Sequence, residues 1–359
     1  MYPELQKSVD ITFLPVTILI METVHPGRFF HTLDENRIQC DLCPRECRMK
    51  EGQRGLCFIR FNRNGKMVIG SYGKNSGLAV DPIEKKPLFH FYPGSRVLSF
   101  GTAGCNLSCG FCQNWHISRS KELDQLSGRE DPVSVAEYAL RTECRSVAFT
   151  YNDPIIFHEY AVDTAVECRK RGIKTVAVTS GYVNPEPRKE FYENMDAANV
   201  DLKGFTEEFY KNFCSGKLAP VLDTLEYIKK ETDVWLEITN LIIPGANDST
   251  DELERMTSWI VEKLGPDVPV HFTAFHPDFK LMDRERTPLE TLIRAREIAL
   301  KNGIHYPYTG NLRNHDGEST LCPFCGSRVI ARDGFRLAEV NLAGNKCLNC
   351  GGTISGIFT

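Results

Sequence analysis

The 359-residue chain has no apolar run long enough to cross a bilayer, no surplus of basic charge and no low-complexity tract. Its most apolar N-terminal stretch, residues 13–21, contains Pro15 and Thr17 and falls well short of the roughly 20 residues a spanning helix needs. Glu4, Lys7 and Asp10 precede that stretch, and no small-residue cleavage site follows it. It therefore reads as part of an N-terminal extension rather than a signal peptide. A formal net charge of −4 leaves no electrostatic footprint for nucleic acid or an anionic membrane. With 42% hydrophobic and 25% charged residues, the composition is that of a soluble globular chain able to bury a core.

Cysteine is the residue in surplus, with fourteen in all. Cys40, Cys43, Cys47 and Cys57 form a first block, Cys105, Cys109 and Cys112 a second, and Cys322, Cys325, Cys347 and Cys350 a third. Tight C-x2-C spacing in an enzyme-sized chain points to metal rather than disulfides, and so to a reducing, cytoplasmic setting. Cys144, Cys168 and Cys214 stand alone in apolar or helical surroundings and read as small core residues.

The middle block carries the most information. Its three thiols follow a glycine-bearing loop, Gly101-Thr-Ala-Gly104, in C-x3-C-x2-C spacing. Three thiolates can hold three irons of a [4Fe–4S] cluster, whereas an electron-transfer cluster takes four. The open corner points to chemistry at the fourth iron. A zinc knuckle is the bland alternative, but zinc sites group their ligands in close pairs and reach four.

The third block does have that form: two C-x2-C pairs, with Gly326 and Gly351 behind them. It reads as a zinc ribbon, with a single rubredoxin-like iron as the alternative. Its role is docking or structural closure, because four thiolates leave no open position. The first block is less regular. Structural zinc and an auxiliary [4Fe–4S] cluster are both open there, zinc being the first choice, and only the cluster could relay an electron.

Between the outer blocks, apolar strand-like runs alternate with amphipathic helical stretches. Strands are expected at 96–100, 146–150, 174–179, 198–202, 234–243 and 268–275. Helices are expected at 131–142, 155–170, 221–230, 252–263 and 288–301. A hairpin is expected earlier, turning at 62–65. Repeated β–α alternation with short links argues for parallel strands, and six units are too few for a closed eight-stranded barrel. The expected fold is α/β, an incomplete, open β/α barrel. The domains are then an extension over 1–37, a four-cysteine domain over 38–94, the barrel over 95–310 and the ribbon over 311–359. Ligands in such folds sit beyond the carboxyl ends of the strands. That rule picks out the cysteine triad, Tyr151-Asn-Asp-Pro154, Ser180-Gly-Tyr182, Asp201-Leu-Lys203, Asn240 and His276-Pro-Asp278.

These words together carry a resemblance. Cys43-Pro-Arg-Glu-Cys47, Asp81-Pro-Ile-Glu-Lys-Lys-Pro87, Gly104-Cys-Asn-Leu, Cys112-Gln-Asn-Trp115, Thr150-Tyr-Asn-Asp-Pro154, Asp201-Leu-Lys-Gly204, Phe275-His-Pro-Asp278 and Cys322-Pro-Phe-Cys325 make the chain similar to radical S-adenosylmethionine (SAM) enzymes. Within these it resembles the pyruvate formate-lyase activating enzymes and the group named AmmeMemoRadiSam system radical SAM enzymes. The resemblance implies that Cys105, Cys109 and Cys112 ligate the cluster, and that reductive cleavage of SAM yields a 5′-deoxyadenosyl radical. It implies that Phe111 packs near the adenine and that Asn152 and Asp153 lie at the SAM ammonium, Asp153 replacing the usual Glu. Thr179 and Ser180 fall in a Val178-Thr-Ser-Gly181 segment that lacks the relatives' leading Asp. Asp201 and Lys203 match an Asp-Leu-Lys word, with Lys203 toward the SAM carboxylate, and His276 is placed near SAM. The implied partners are an electron donor such as ferredoxin or flavodoxin and a protein substrate, or Memo-type and AMMECR-type proteins. A glycyl-radical activase is the second enzyme reading, and a non-catalytic metal-binding scaffold is the rival outside enzymes.

Overall fold

The computed structural model describes residues 25–120 and 128–359. Its centre is an eight-stranded sheet: β1 (Ala79–Pro82), β2 (Arg96–Phe100), β3 (Ser146–Phe149), β4 (Lys174–Thr179), β5 (Ala197–Asp201), β6 (Trp235–Ile242), β7 (Val270–Ala274) and β8 (Pro307–Gly310). The strands lie side by side in chain order. All neighbours from β2 to β8 are parallel, and β1 runs antiparallel along β2. β1 and β8 are the two edges, so the barrel is open.

Six helices make the crossovers: α1 (Pro132–Arg141), α2 (His158–Lys170), α3 (Pro185–Glu193), α4 (Ala219–Glu231), α5 (Thr250–Leu264) and α6 (Leu289–Lys301). Their ends follow local chemistry. Asp131 caps α1 by accepting from the Ser134 N–H at 2.7 Å, with Pro132 in the first turn, where a missing N–H costs nothing. Ser249 caps α5 in the same way through Glu252. Leu253, Met256, Ile260 and Leu264 then line the buried face of α5 at helical spacing. All four residues of β3 are buried, as expected of a parallel strand covered on both faces.

Three barrel elements have no counterpart in the sequence reading: β8, α3 and the antiparallel edge strand β1, which falls inside the expected four-cysteine domain. β8 is only four residues and starts at Pro307, too short to show a period. α3 contains two prolines near its start, Pro185 and Pro187; only the Asn184-Pro185 pair marks it as a helix beginning.

The first cysteine block is a set of short antiparallel pairings. Arg60–Arg63 pairs with Lys66–Ile69 through a tight turn at Asn64 and Gly65, both at positive φ, the geometry that suits a two-residue hairpin. The turn is tighter than the 62–65 span expected. His25–Pro26 pairs with this hairpin, and Phe30–Thr32 pairs with Ile38–Cys40. Backbone pairing thus carries the block back across residue 38 to His25, and the remainder of the expected extension, 1–24, lies outside the described residues. A buried ion pair seats the block on α2: Arg60 meets Glu159 at 2.7 and 3.1 Å, and Arg60 Nη2 also donates to the Arg28 carbonyl.

The ribbon forms a three-stranded antiparallel sheet of Thr320–Leu321, Arg328–Asp333 and Arg336–Val340. It is fastened to the segment before β2. Buried Arg332 donates to the Phe89 carbonyl at 2.7 Å, and Ile357 exchanges backbone bonds with His90 and Tyr92. Phe89 and His90 reach the amino-terminal half of β6, where both backbone amides donate to buried Glu237. His271 also meets Glu237, at 2.6 Å, which makes it a satisfied core histidine. Among the described residues, no helix is long and apolar enough to cross a membrane.

Candidate active site

A cavity of about 320 Å³ opens at the carboxyl ends of the barrel strands. Cys105, Cys109 and Cys112 line it from the loop after β2, facing groups from the ends of β3 to β8. Phe111, Asn152, Asp153, Thr179, Ser180, Asp201 and Lys203, each expected here, all line it as well. His276 does not. Its side chain is 46% exposed at the rim, where Nδ1 lies 3.0 Å from Gln113, the residue after Cys112.

The loop that carries the thiols is held from several sides. Asn152 accepts from the Thr102 N–H at 3.0 Å and donates to the Gly104 carbonyl at 2.9 Å. Its amide therefore clamps the loop backbone, a use the sequence reading did not assign. The Ser108 N–H donates to the Cys214 carbonyl and the Gly110 N–H to the Phe213 carbonyl, so a turn far along the chain supports the loop. The Cys214 side chain lies beside Cys109 and helps to push that thiol's pKa up. A lone core cysteine was the expectation; the side chain is indeed buried, but beside the triad. Gly104 sits at φ +84°, and a Cβ there would lie 1.9 Å from the Cys57 carbonyl oxygen. Only glycine fits that contact.

Asp153 is a hub rather than a free carboxylate. It accepts from the Ser180 N–H at 2.8 Å, from the Ile155 N–H at 3.0 Å and from the Thr179 hydroxyl at 3.1 Å, and bonds the Ser180 hydroxyl. Burial pushes its pKa up against these donors. With its oxygens so engaged, it ties the loop after β3 to the end of β4. Tyr151, just before, is held at φ +70°, an uncommon conformation for a bulky residue. Its hydroxyl meets Asp81 at 3.3 Å, and Asp81 is also paired with Lys85 and Lys86. The Asp81-Pro-Ile-Glu-Lys-Lys-Pro87 word thus supports the cavity wall, and its Lys85 and Pro87 line the cavity directly.

Lys203 and Asp201 form an ion pair at 2.8 Å. Burial disfavours the Lys203 ammonium, but Asp201 and the Cys109 sulfur outweigh it and push the pKa well up. The lysine is a permanent cation at the cavity. Three thiols on one loop, a fixed ammonium and a ring of uncharged donors suit a three-thiolate cluster with a small zwitterionic ligand.

Residues 100–260 match the radical SAM superfamily. Over 326 residues the chain is 44% identical to an uncharacterized protein of Methanocaldococcus jannaschii, spanning 90% of this chain and 96% of that one. The chain belongs to the radical SAM superfamily. This radical SAM protein is also 25% identical over 228 residues to the pyruvate formate-lyase 1-activating enzyme of Escherichia coli K12, covering 59% of this chain and 91% of that enzyme. A radical SAM methyltransferase from Sphaerobacter thermophilus aligns with TM-score 0.49 at 16% identity, over 82% of this chain and 78% of that one. The superfamily implies a [4Fe–4S] cluster and SAM, and the triad-lined cavity fits both.

The other cysteine cluster of this radical SAM protein is compact. The sulfurs of Cys322, Cys325, Cys347 and Cys350 all lie within 4.8 Å of one another, with contacts of 3.6 and 3.9 Å. Gly326 and Gly351, at φ +73° and +75°, let the backbone fold back after each pair, and the Gly352 N–H reaches the Cys350 sulfur at 3.4 Å. The four form a site able to hold a metal.

Proposed function

We propose that this protein uses a [4Fe–4S] cluster on Cys105, Cys109 and Cys112 to cleave SAM reductively and to abstract hydrogen from a protein or peptide substrate. The observation that carries the reading is the meeting, around one cavity, of three thiols with strand-end groups suited to SAM. When bound, the cluster and SAM supply a 5′-deoxyadenosyl radical. The chain's own part is position and exclusion of water. Lys203 faces the SAM carboxylate, Phe111 offers an apolar surface to the adenine, and Asn152 and Asp153 hold the thiol loop and the opposite wall in register. His276 acts at the rim through Gln113.

The activating-enzyme relatives support a macromolecular substrate, and glycyl-radical activation is the second reading. A low-potential donor such as ferredoxin or flavodoxin supplies the electron, and Memo-type or AMMECR-type proteins are the partners to test. The ribbon holds zinc in a structural role, its sulfurs spaced as about 2.3 Å Zn–S bonds require. The test is anaerobic reconstitution with SAM and dithionite, followed by quantification of 5′-deoxyadenosine. Formation in the wild type and in Cys144→Ala, with none in Cys105→Ala, is expected. Undiminished formation in Cys105→Ala removes the assignment.

A further inference from the structure

The first cysteine block has the wrong spacing for a single ion. Cys40, Cys43, Cys47 and Cys57 line one small cavity, together with Arg60 and Asn106, so their thiols share a common space. Yet among the described residues only the ribbon cysteines bring three or more ligand atoms within 4.8 Å of one another. One zinc ion with Zn–S bonds of about 2.3 Å needs its four sulfurs about 3.8 Å apart. The ribbon has that spacing and the first block does not. In a cubane each thiolate binds a different iron, so the sulfurs stand farther apart around the cluster. The Cys105, Cys109 and Cys112 triad is likewise outside single-ion spacing. Among the described residues the ribbon cysteines alone stand at single-ion spacing, and the first block and the triad both lie outside it.

A second observation points into the same space. Arg60 is 1% exposed and lines the cavity; both Nη atoms are hydrogen-bonded to oxygen, the Nε has no such partner, and the guanidinium faces the Cys40 thiol. Arg45, also on the wall, leaves Nη2 unpartnered. A buried guanidinium N–H without an acceptor is costly, and four thiolates around a cluster would supply acceptors and a net negative charge for it. The Leu56 N–H already points at the Cys47 sulfur, at 3.5 Å. The site also adjoins the catalytic loop: Arg45 donates to the Asn106 carbonyl at 2.7 Å, next to Cys105.

We propose that Cys40, Cys43, Cys47 and Cys57 hold a second [4Fe–4S] cluster, ligated by four thiolates. This assignment replaces the zinc preferred from sequence, because spacing along the chain does not report distance between sulfurs. It stands apart from the triad's activity: a protein that never cleaved SAM could still carry it.

The experiment counts iron, acid-labile sulfide and zinc in the full-length chain after anaerobic reconstitution. Sulfide decides, since a mononuclear ion brings none. The expected count is about eight sulfides per wild-type chain and about four in the Cys105→Ala/Cys109→Ala/Cys112→Ala variant, with a cubane Mössbauer signature remaining. A Cys40→Ala/Cys43→Ala variant should also fall to about four. A folded triad variant that holds no acid-labile sulfide overturns the proposal; where that variant fails to fold, so does a wild-type sulfide count that the Cys40→Ala/Cys43→Ala variant retains undiminished.

Discussion

The two ends of this barrel use polar residues in opposite ways. At the carboxyl ends of the strands, Lys203 and Asp201 stand partly exposed beside a cavity, with donor capacity still available to a ligand. At the amino-terminal half, Glu237 is completely buried and meets four donors: the amides of Phe89 and His90, the Trp235 indole and His271. His90 in turn lies 2.6 Å from both the Tyr308 hydroxyl and the Ser355 carbonyl. A saturated network rigidifies; an unsaturated one can receive a ligand. One end of the barrel is built for chemistry and the other for stability.

The sharpest test of that division is at the thiols. Cys109→Ala should abolish 5′-deoxyadenosine formation, whereas Cys350→Ala should leave it near the wild-type level and lower the melting temperature. Loss of SAM cleavage in a folded Cys350→Ala protein would erase the distinction between the ends.

The base should respond to acid. Burial, outweighing the pull of Glu237, lowers the His90 pKa from 6.5 to about 4. The unfolded chain therefore takes up this proton first, so the contribution is complete above about pH 6.5 and fades as the pH falls toward 4. At about 1.4 kcal/mol per unit, the shift amounts to about 3 kcal/mol. Chemical denaturation of wild type and His90→Phe across that window should show the difference between their stability curves shrinking by this amount. Parallel curves would mean that His90 does not titrate there.

At the cavity end the effect should be on affinity. A charge-assisted contact is worth about 1.5–3 kcal/mol, so Lys203→Ala should weaken SAM binding by roughly 10- to 100-fold with iron content unchanged. An unaltered SAM dissociation constant would reduce Lys203 to a strand-end ion pair. The smallest effect belongs to neither end. Asp131→Ala removes the α1 cap and should cost about 1 kcal/mol of stability without touching SAM affinity; a change in affinity would show that the helical layer is coupled to the cavity.

The legible parts of the molecule were those whose signal is local. The β–α alternation announced an open barrel, because covered parallel strands are apolar throughout and helices carry their own caps. The thiol triad and each ribbon pair were legible because their cysteines lie within a few residues of one another. Asn152 illustrates what was not. Its place after a strand located it at the cavity, but only the folded loop shows its amide spent on Thr102 and Gly104. Cys214 had no local signal at all; chain folding alone brings it to Cys109. β8 and α3 escaped for a different reason, since proline at the start of each obscures the pattern that would otherwise reveal it.

Gly104 has a consequence for modularity. Where a methyl group would collide with the Cys57 carbonyl, the thiol loop and the first cysteine block are packed too closely for either to be remodelled alone. The block is a seat for the thiol loop rather than a detachable module. A barrel excised from residue 95 onward would keep all three triad cysteines yet lose the wall their loop packs against. Chimeras within this lineage should be joined before His25, not between the block and the barrel.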